Sequence, residues 1–191
     1  MLVETTQRVS EAEYLDLERP AVDRHEFRNG VVVEVPSSNH DHSMIEGSIG
    51  ISLGEQLDRS DFELYMVAMR VKVPMVNLIT YPDIVVCRNP QFLDAEQDVL
   101  LNPTFVCEVM SPRTIAYDLG AKAASYRQHD SLLEFLLVEQ ERPVAEHYVR
   151  RDEATWQVTR VAGLSAEIEL HSIPCRITLA DAFSKVERPL K

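Results

Sequence analysis

Cysteine is scarce in this chain: Cys87, Cys107 and Cys175 are the whole complement in 191 residues. Their number is odd, their spacings are wide and each lies in an apolar context, unlike the closely spaced pairs of zinc sites or the even sets of disulfide frameworks. The pattern predicts buried, reduced thiols. A chain that keeps its thiols reduced is expected in the cytoplasm.

Long hydrophobic runs are also missing. The apolar runs are strand-sized and broken by charges, so the sequence predicts no transmembrane helix and no membrane partner. The first residues, MLVETTQRVSEAEY, lack the basic and apolar segments of a signal peptide. Hydrophobic residues still make up 45% of the composition, enough for a substantial core. We predict one domain over 1–191, with an N-terminal helix and hairpin at 9–36, a core at 40–161 and a C-terminal helix at 179–186.

Positive charge is in short supply. The chain has 19 lysines and arginines against 31 aspartates and glutamates, a formal net charge of −12. Phosphate contacts usually need a basic face, so this composition argues against an extended nucleic-acid surface. It leaves open a local basic strip, or a protein that acts together with a partner.

Capping, turn and periodicity signals predict alternating helices and strands. A capping-box pattern beginning at Ser10 predicts a helix over 11–18, and the Asn29-Gly30 pair predicts a hairpin over 25–35. The remaining elements are predicted as a helix over 41–59, strands over 62–73, 80–88 and 105–110, a helix over 118–128, strands over 132–139, 143–150 and 155–161, and a helix over 179–186. This order predicts an α/β (mixed α+β) fold, a mixed β-sheet flanked by helices with additional antiparallel hairpins.

The segment 104–126 carries the strongest functional signal. Its apolar run, Phe105 to Met110, is typical of a strand buried on both faces, and it contains Glu108. A buried carboxylate must be neutralised, paired or bound to a metal. For Glu108 alone, a metal ligand and a structural salt bridge both remain open.

Two further residues extend this signal. Asp83 follows Pro82 at the start of a second apolar strand, where a turn or cap role is the simpler alternative. Lys122 lies on the helix after the Glu108 strand, where it could pair with Asp118 four residues earlier or turn back toward the strand ends. Two acids at neighbouring strand ends with a lysine nearby are compatible with a divalent-metal site for phosphodiester cleavage.

Several other polar residues are candidates for accessory roles. The candidate accessory residues are Glu26, Arg70, Ser111, Asp118 and Tyr126. Each also has a simpler interpretation, such as a solvated or paired arginine, or a tyrosine packed with its hydroxyl hydrogen-bonded. His40 and His42 could bind metal, but without a matching third ligand a capping or surface role is favoured.

Motifs along nearly the whole chain, about 9–186, resemble one known family. The matching segments are HEFRNGVVVEVP, MRVKVP, YPDIVVC, EVMSPRT, DLGAKAASYRQ and LLEFLLVEQERPVAEHY. They resemble the Uma-type "putative restriction endonuclease" family of the PD-(D/E)xK nuclease superfamily. The resemblance implies a restriction-endonuclease-like core in which Asp83 is the first acid and Glu108 the second. Met110 stands where the usual lysine would be, and Lys122 on the following helix is its candidate replacement.

The resemblance also implies a chemistry. Asp83, Glu108 and the carbonyl of Val109 would hold Mg²⁺ (or Mn²⁺), and Lys122 would orient or deprotonate a water that attacks a DNA phosphodiester. Related nucleases often pair to cut two strands, so a homodimer is expected. The alternatives are a catalytically inactive nuclease fold acting as a binding or regulatory subunit, and hydrolysis of another phosphoester.

Overall fold

The computed structural model describes residues 8–186, and the ends of the predicted domain, 1–7 and 187–191, lie outside the described residues. The helical elements are α1 (Glu11–Glu18), α2 (His40–Leu57), a 3-10 turn (Pro74–Val76), α3 (Ile115–Tyr117), a π-helical turn (Asp118–Lys122), α4 (Ala123–Tyr126) and α5 (Leu179–Ala182). The strands are β1 (His25–Arg28), β2 (Val31–Glu34), β3 (Phe62–Met66), β4 (Arg70–Val73), β5 (Leu78–Thr80), β6 (Ile84–Arg88), β7 (Val99–Leu100), β8 (Pro103–Met110), β9 (Glu134–Glu139), β10 (Val144–Arg150), β11 (Trp156–Ala162), β12 (Glu167–Glu169) and β13 (Arg176–Thr178).

These strands form two main sheets and a small one. A five-stranded sheet has the order β2-β1-β5-β4-β7, a six-stranded sheet has the order β11-β10-β9-β8-β6-β3, and β12 pairs with β13. In the six-stranded sheet β8 and β9 run parallel and the other pairs are antiparallel. The segment with α3, the π-helical turn and α4 makes the crossover between β8 and β9. The predicted mixed sheet flanked by helices is therefore confirmed.

The core lies on both faces of the six-stranded sheet. Alternation along β6 sends Ile84 and Val86 to one face, where they pack with apolar residues of α2. Val85 and Cys87 point to the other face and pack with residues of α4, including Tyr126. All three cysteines are free and buried, as the sequence predicts. Because the central strands are covered on both sides, a charged side chain on them must be explained by its partners.

Two predicted strands are each divided between the two sheets. The strand predicted at 62–73 is wrong as a single element: β3 joins the six-stranded sheet and β4 joins the five-stranded one. Val67 lies between them with φ 64°, a left-handed conformation that breaks the extended chain. The strand predicted at 80–88 is likewise two elements, β5 and β6, separated by a segment that includes Pro82. Asp83 therefore lies where the chain passes from one sheet to the other.

The N-terminal signals are confirmed and the later helices differ in extent. The Ser10 hydroxyl accepts from the Glu13 N–H in a full capping box at the start of α1. The helix predicted at 118–128 begins earlier, at Ile115, and its first turns include the π-helical turn. The last helix ends at Ala182, short of the predicted 186. Within 8–186, no helix has both the length and the apolar character needed to cross a membrane.

Candidate active site

Asp83 lies immediately before β6, beside the C-terminal end of β8. Its Oδ2 accepts a hydrogen bond from the Val109 N–H at 2.7 Å. The pKa of Asp83 is raised to about 7, chiefly by burial. Nearby acids also raise it, while the hydrogen bond from the Val109 N–H lowers it. The side chain keeps 20% of its surface exposed, so a ligand can still reach it.

Two side chains of α2 face Asp83. His42 and Glu46 are one helical turn apart. One possible ligand atom from each of His42, Glu46 and Asp83 can be chosen so that all three atoms lie within 4.8 Å of one another. Both are buried, and His42 Nδ1 and Glu46 Oε1 have no hydrogen-bond partner within 8–186. Burial lowers the pKa of His42 and raises that of Glu46. We call His42, Glu46 and Asp83 the Asp83 cluster.

Glu108 and Lys122 form a buried ion pair next to this cluster. Lys122 Nζ lies 2.7 Å from Glu108 Oε1, and the Tyr126 hydroxyl donates to the same oxygen. Burial raises the pKa of Glu108 to about 8 although the Lys122 charge opposes the rise. Burial lowers the pKa of Lys122, but Glu108 and other nearby acids outweigh it and raise that pKa well above its ordinary value. Lys122 therefore stays protonated.

Glu26, which belongs to the five-stranded sheet, also contacts the Lys122 ammonium. Its Oε1 lies 3.5 Å from Lys122 Nζ and accepts from the Thr80 hydroxyl, while its Oε2 accepts from Arg28 Nε at 2.9 Å and from the Tyr117 hydroxyl at 3.0 Å. Burial raises the pKa of Glu26, but the charges of Lys122 and Arg28 outweigh it, and the pKa is lowered on balance. The lysine is thus fixed between two carboxylates.

The remaining predicted residues divide into near and remote groups. Asp118 is buried and electrostatically coupled to Asp83, Glu108 and Lys122, and burial raises its pKa. Ser111 starts the turn after β8. Its N–H donates to the Thr114 hydroxyl at 3.1 Å.

Arg70 lies apart from this group. It contacts the Tyr81 hydroxyl at 2.5 Å and Asp98 at 2.7 Å, on the five-stranded sheet. The structure therefore brings Glu26, Asp118 and Tyr126 to Lys122, and it gives Arg70 structural partners.

Among the cavities beside the turn at 111–114, two are lined by candidate site residues. The larger, about 430 Å³, is lined by the loop 36–39, His42, that turn, Gln140 and Glu141. The smaller, about 50 Å³, lies on the Lys122 side of the turn and is also lined by Arg28 and Arg113. His42 of the Asp83 cluster lines the larger cavity and Lys122 lines the smaller, so both side chains border this edge of the sheet.

Sequence reasoning considered His42 as a metal ligand but favoured a capping or surface role, and it missed Glu46. The helix cap is Asn39, whose Oδ1 accepts from the His42 N–H at 3.1 Å, so the imidazole itself is not the cap. A signal was present: Glu46 sits beside Ile45 and Ile49 on the apolar stripe of α2. A charge on a buried helix face is the same kind of signal as Glu108 in its strand.

The fold and the family can now be placed among known proteins. The structure is similar to a crystal structure titled as a putative nuclease belonging to DUF820 from Anabaena variabilis, with a TM-score of 0.76 over 92% of this chain and 98% of that one. At 15% identity this likeness shows the fold alone. Residues 11–182 match the Uma2 family, described as "Putative restriction endonuclease", and the chain belongs to that family. The predicted family and fold class are confirmed.

Two relatives come from Synechocystis sp. The uncharacterized protein sll1609 is 29% identical over 170 residues, covering 88% of this chain and 96% of the relative. The uncharacterized protein slr1290 is 28% identical over 166 residues, covering 87% of this chain and 86% of the relative. Their names describe no activity.

Proposed function

We propose that this protein is a cytoplasmic endonuclease that hydrolyses DNA phosphodiester bonds with a divalent metal ion. The observation that carries the proposal is the meeting of Asp83, Glu46 and Glu108 beside one fixed ammonium, Lys122. Raised carboxyl pKa values in a cleft are typical of functional sites. Membership in a nuclease family supports the choice of reaction and substrate.

The donor set fits a divalent cation. Divalent Mg²⁺ and Mn²⁺ take carboxylate and carbonyl oxygens. Asp83 and Glu46 would hold the ion, and Glu108 and the Val109 carbonyl on β8 are further donors. Glu46 Oε1 is buried without a partner within 8–186, and a bound cation would satisfy it. When bound, such an ion polarises a phosphoryl oxygen and lowers the pKa of a water.

Lys122 acts as a fixed charge. Its pKa is raised well above the ordinary value, so it is a poor proton acceptor, and orienting the water and stabilising the phosphate charge is the role its environment favours. Glu108 and Glu26 hold the Nζ in place before a substrate arrives. Such preorganised charge costs no rearrangement during the reaction.

Because the net charge of the chain is −12, DNA would have to be contacted by a local group of basic residues. Arg28, Arg113 and Lys122 line the smaller cavity and place positive charge next to the acids. A symmetric dimer is part of the proposal: β11 is an edge strand of the six-stranded sheet and exposes Val158, so two copies could pair there.

A catalytically inactive nuclease fold is the second candidate. One observation favours it: Lys122 and Tyr126 both bond the same oxygen of Glu108, which gives this acid structural partners already. In that case the protein would serve as a binding or regulatory subunit.

Cleavage assays on the wild type and on matched variants separate the two candidates. Supercoiled and linear DNA are incubated with Mg²⁺ or Mn²⁺, and Asp83→Asn and Glu108→Gln should each lower the cleavage rate by about 100-fold or more. Asp58→Asn is the control, because its side chain is 73% exposed and remote from the cluster. Cleavage that survives Glu108→Gln unchanged would overturn the nuclease proposal.

A further inference from the structure

We infer that the Asp83 cluster binds its cation through the imidazole of His42 as well as through carboxylates, and so selects a first-row transition metal over Mg²⁺. The inference rests on the proposed function for the presence of a cation, and it deepens that proposal by naming the class of metal and a new ligand. Co²⁺ is expected to bind more tightly than Mn²⁺, and both more tightly than Mg²⁺.

The geometry of α2 and β6 supports one shared ion. His42 and Glu46 lie four residues apart, so both project from the same face of the helix toward Asp83. Ligand atoms 2.0–2.2 Å from one ion lie at most about 4.4 Å apart. The three ligand atoms are already within 4.8 Å of one another, so modest side-chain rotation would bring all three into reach of one ion.

The imidazole is held in place but makes no short hydrogen bond. The backbone N–H of His42 is fixed by the Asn39 cap, and the residue is only 8% exposed. Its Nδ1 has no partner within 8–186, and its Nε2 faces Asp83 Oδ2 at 3.5 Å, which is long for a hydrogen bond. Buried polar atoms are normally paired, so this ring is placed for a ligand that the protein itself does not supply.

Glu46 gives the second, independent sign of a ligand. It is 6% exposed, and its Oε1 has no hydrogen-bond partner among the described residues. An ordinary buried glutamate has a salt bridge or several donors, as Glu26 does in this same protein. A cation between Glu46 and Asp83 would satisfy the unpaired Glu46 oxygen, and it would meet His42 through Nε2, the ring nitrogen that faces Asp83.

The mixture of donors decides the class of metal. Mg²⁺ requires oxygen ligands and retains its waters, whereas imidazole favours transition metals, with affinity rising from Mn²⁺ to Co²⁺ and Ni²⁺. One nitrogen with two carboxylates still accepts Mn²⁺ and Co²⁺ in an octahedral arrangement. Mg²⁺ would bind through the carboxylates and gain little from His42.

Calorimetric titrations of the DNA-free protein with Co²⁺, Mn²⁺ and Mg²⁺ test the inference. The wild type should bind Co²⁺ at least about tenfold more tightly than Mg²⁺. His42→Gln should lose about tenfold or more in Co²⁺ affinity with a much smaller change for Mg²⁺. His40→Gln, an exposed histidine two residues away, is the matched control and should bind as the wild type does.

A second measurement needs no variant. In a two-bond ¹H–¹⁵N spectrum of the wild type, Zn²⁺ should shift the ring nitrogens of one histidine by the amount typical of a metal ligand. No histidine shift, equal affinity for Co²⁺ and Mg²⁺, or a Co²⁺ to Mg²⁺ ratio unchanged in His42→Gln would each overturn the inference. Selective Co²⁺ binding without DNA cleavage would instead support the site and count against the nuclease function.

Discussion

Two groups of buried carboxylates in this protein have opposite surroundings. Glu134 on β9 is fully buried, and it accepts from the His171 N–H at 2.9 Å, the Ser172 N–H at 2.7 Å and the Ser172 hydroxyl at 2.6 Å. His147 Nε2 lies 2.5 Å from its other oxygen. Burial raises the pKa of Glu134, but the bonds from His147 and Ser172 outweigh it and lower the pKa on balance.

The Asp83 cluster has few such bonds. Asp83 accepts one backbone N–H, Glu46 has an unpaired oxygen, and burial raises the pKa of both. Burial alone therefore does not distinguish a structural acid from a functional one. The distinction lies in how many donors the fold supplies: a saturated carboxylate ties segments together, and an unsaturated one is available to a ligand.

The largest expected effect comes from removing Glu134, the carboxylate whose oxygens are saturated with hydrogen bonds. Glu134→Ala removes the acceptor for three donors of the 171–172 segment and leaves His147 unpaired, so it should lower the free energy of unfolding by about 3–5 kcal/mol. Urea denaturation followed by circular dichroism measures this. Glu169→Ala, on the exposed face of β12, is the control and should change stability by about 0.5 kcal/mol or less. A loss below about 1 kcal/mol for Glu134→Ala would contradict the structural role.

The next effect is on catalysis. Lys122→Met removes the ammonium between Glu108 and Glu26, and it should lower DNA cleavage about 100-fold or more through lost charge stabilisation. Rates are taken per folded molecule, because the two carboxylates left behind also destabilise the fold. Lys185→Met, an exposed lysine, should cleave at the wild-type rate. Equal rates for the two variants would exclude Lys122 from the reaction.

A smaller effect concerns pH and the binding of the cation. Because burial raises the carboxyl pKa of Asp83 to about 7, a cation must displace a proton from it below that range. Affinity for Mn²⁺ should therefore rise from pH 6 to pH 8 by up to about tenfold per pH unit for each proton released. Calorimetry in buffers of different ionisation enthalpy counts the protons. Affinity independent of pH over this interval would contradict the raised value.

The smallest expected effect is on the pH dependence of folding stability, where Asp83 and Glu134 should differ in sign. The folded-state pKa of Asp83 is above its unfolded value, so its stabilising contribution is complete below about pH 4 and is lost as pH rises toward 7. Asp83→Asn should therefore stabilise the metal-free protein by up to about 2.5 kcal/mol at pH 8 relative to pH 5. Glu134 has the opposite sign, because its lowered pKa contributes stability above about 4.5 that is lost on acidification. Urea unfolding of Asp83→Asn at pH 5 and pH 8, and of Glu134→Gln at pH 6 and pH 3, checks the two signs, and parallel pH trends would remove the distinction.

Local signals in the sequence were sufficient for the family, the fold class and the grouping of Glu108 with Lys122. A charge in an apolar strand and a lysine on the next helix are visible in the sequence because each violates its local pattern. Their meeting at 2.7 Å follows from the parallel crossover between β8 and β9. The catalytic roles of these residues remain predictions.

The features of the fold and the site that the sequence did not predict depend on tertiary structure, which local patterns do not encode. Val67 takes a left-handed conformation although β-branched residues disfavour it, so nothing in the sequence marks the break between β3 and β4. His42 and Glu46 gain their meaning only when α2 is packed across the start of β6. Glu134 resembles Glu108 in sequence, and only the donors of the 171–172 segment distinguish them.

The position of Lys122 between acids of different sheets makes the first hairpin part of the proposed active site. Glu26 belongs to the five-stranded sheet and Glu108 to the six-stranded sheet, and the ammonium of Lys122 contacts both. A homologous chain that lacked the β1–β2 hairpin would need another anionic side chain to hold the lysine ammonium in place. Grafting this site onto a minimal scaffold would therefore require the hairpin to be transplanted along with the three acids and the lysine.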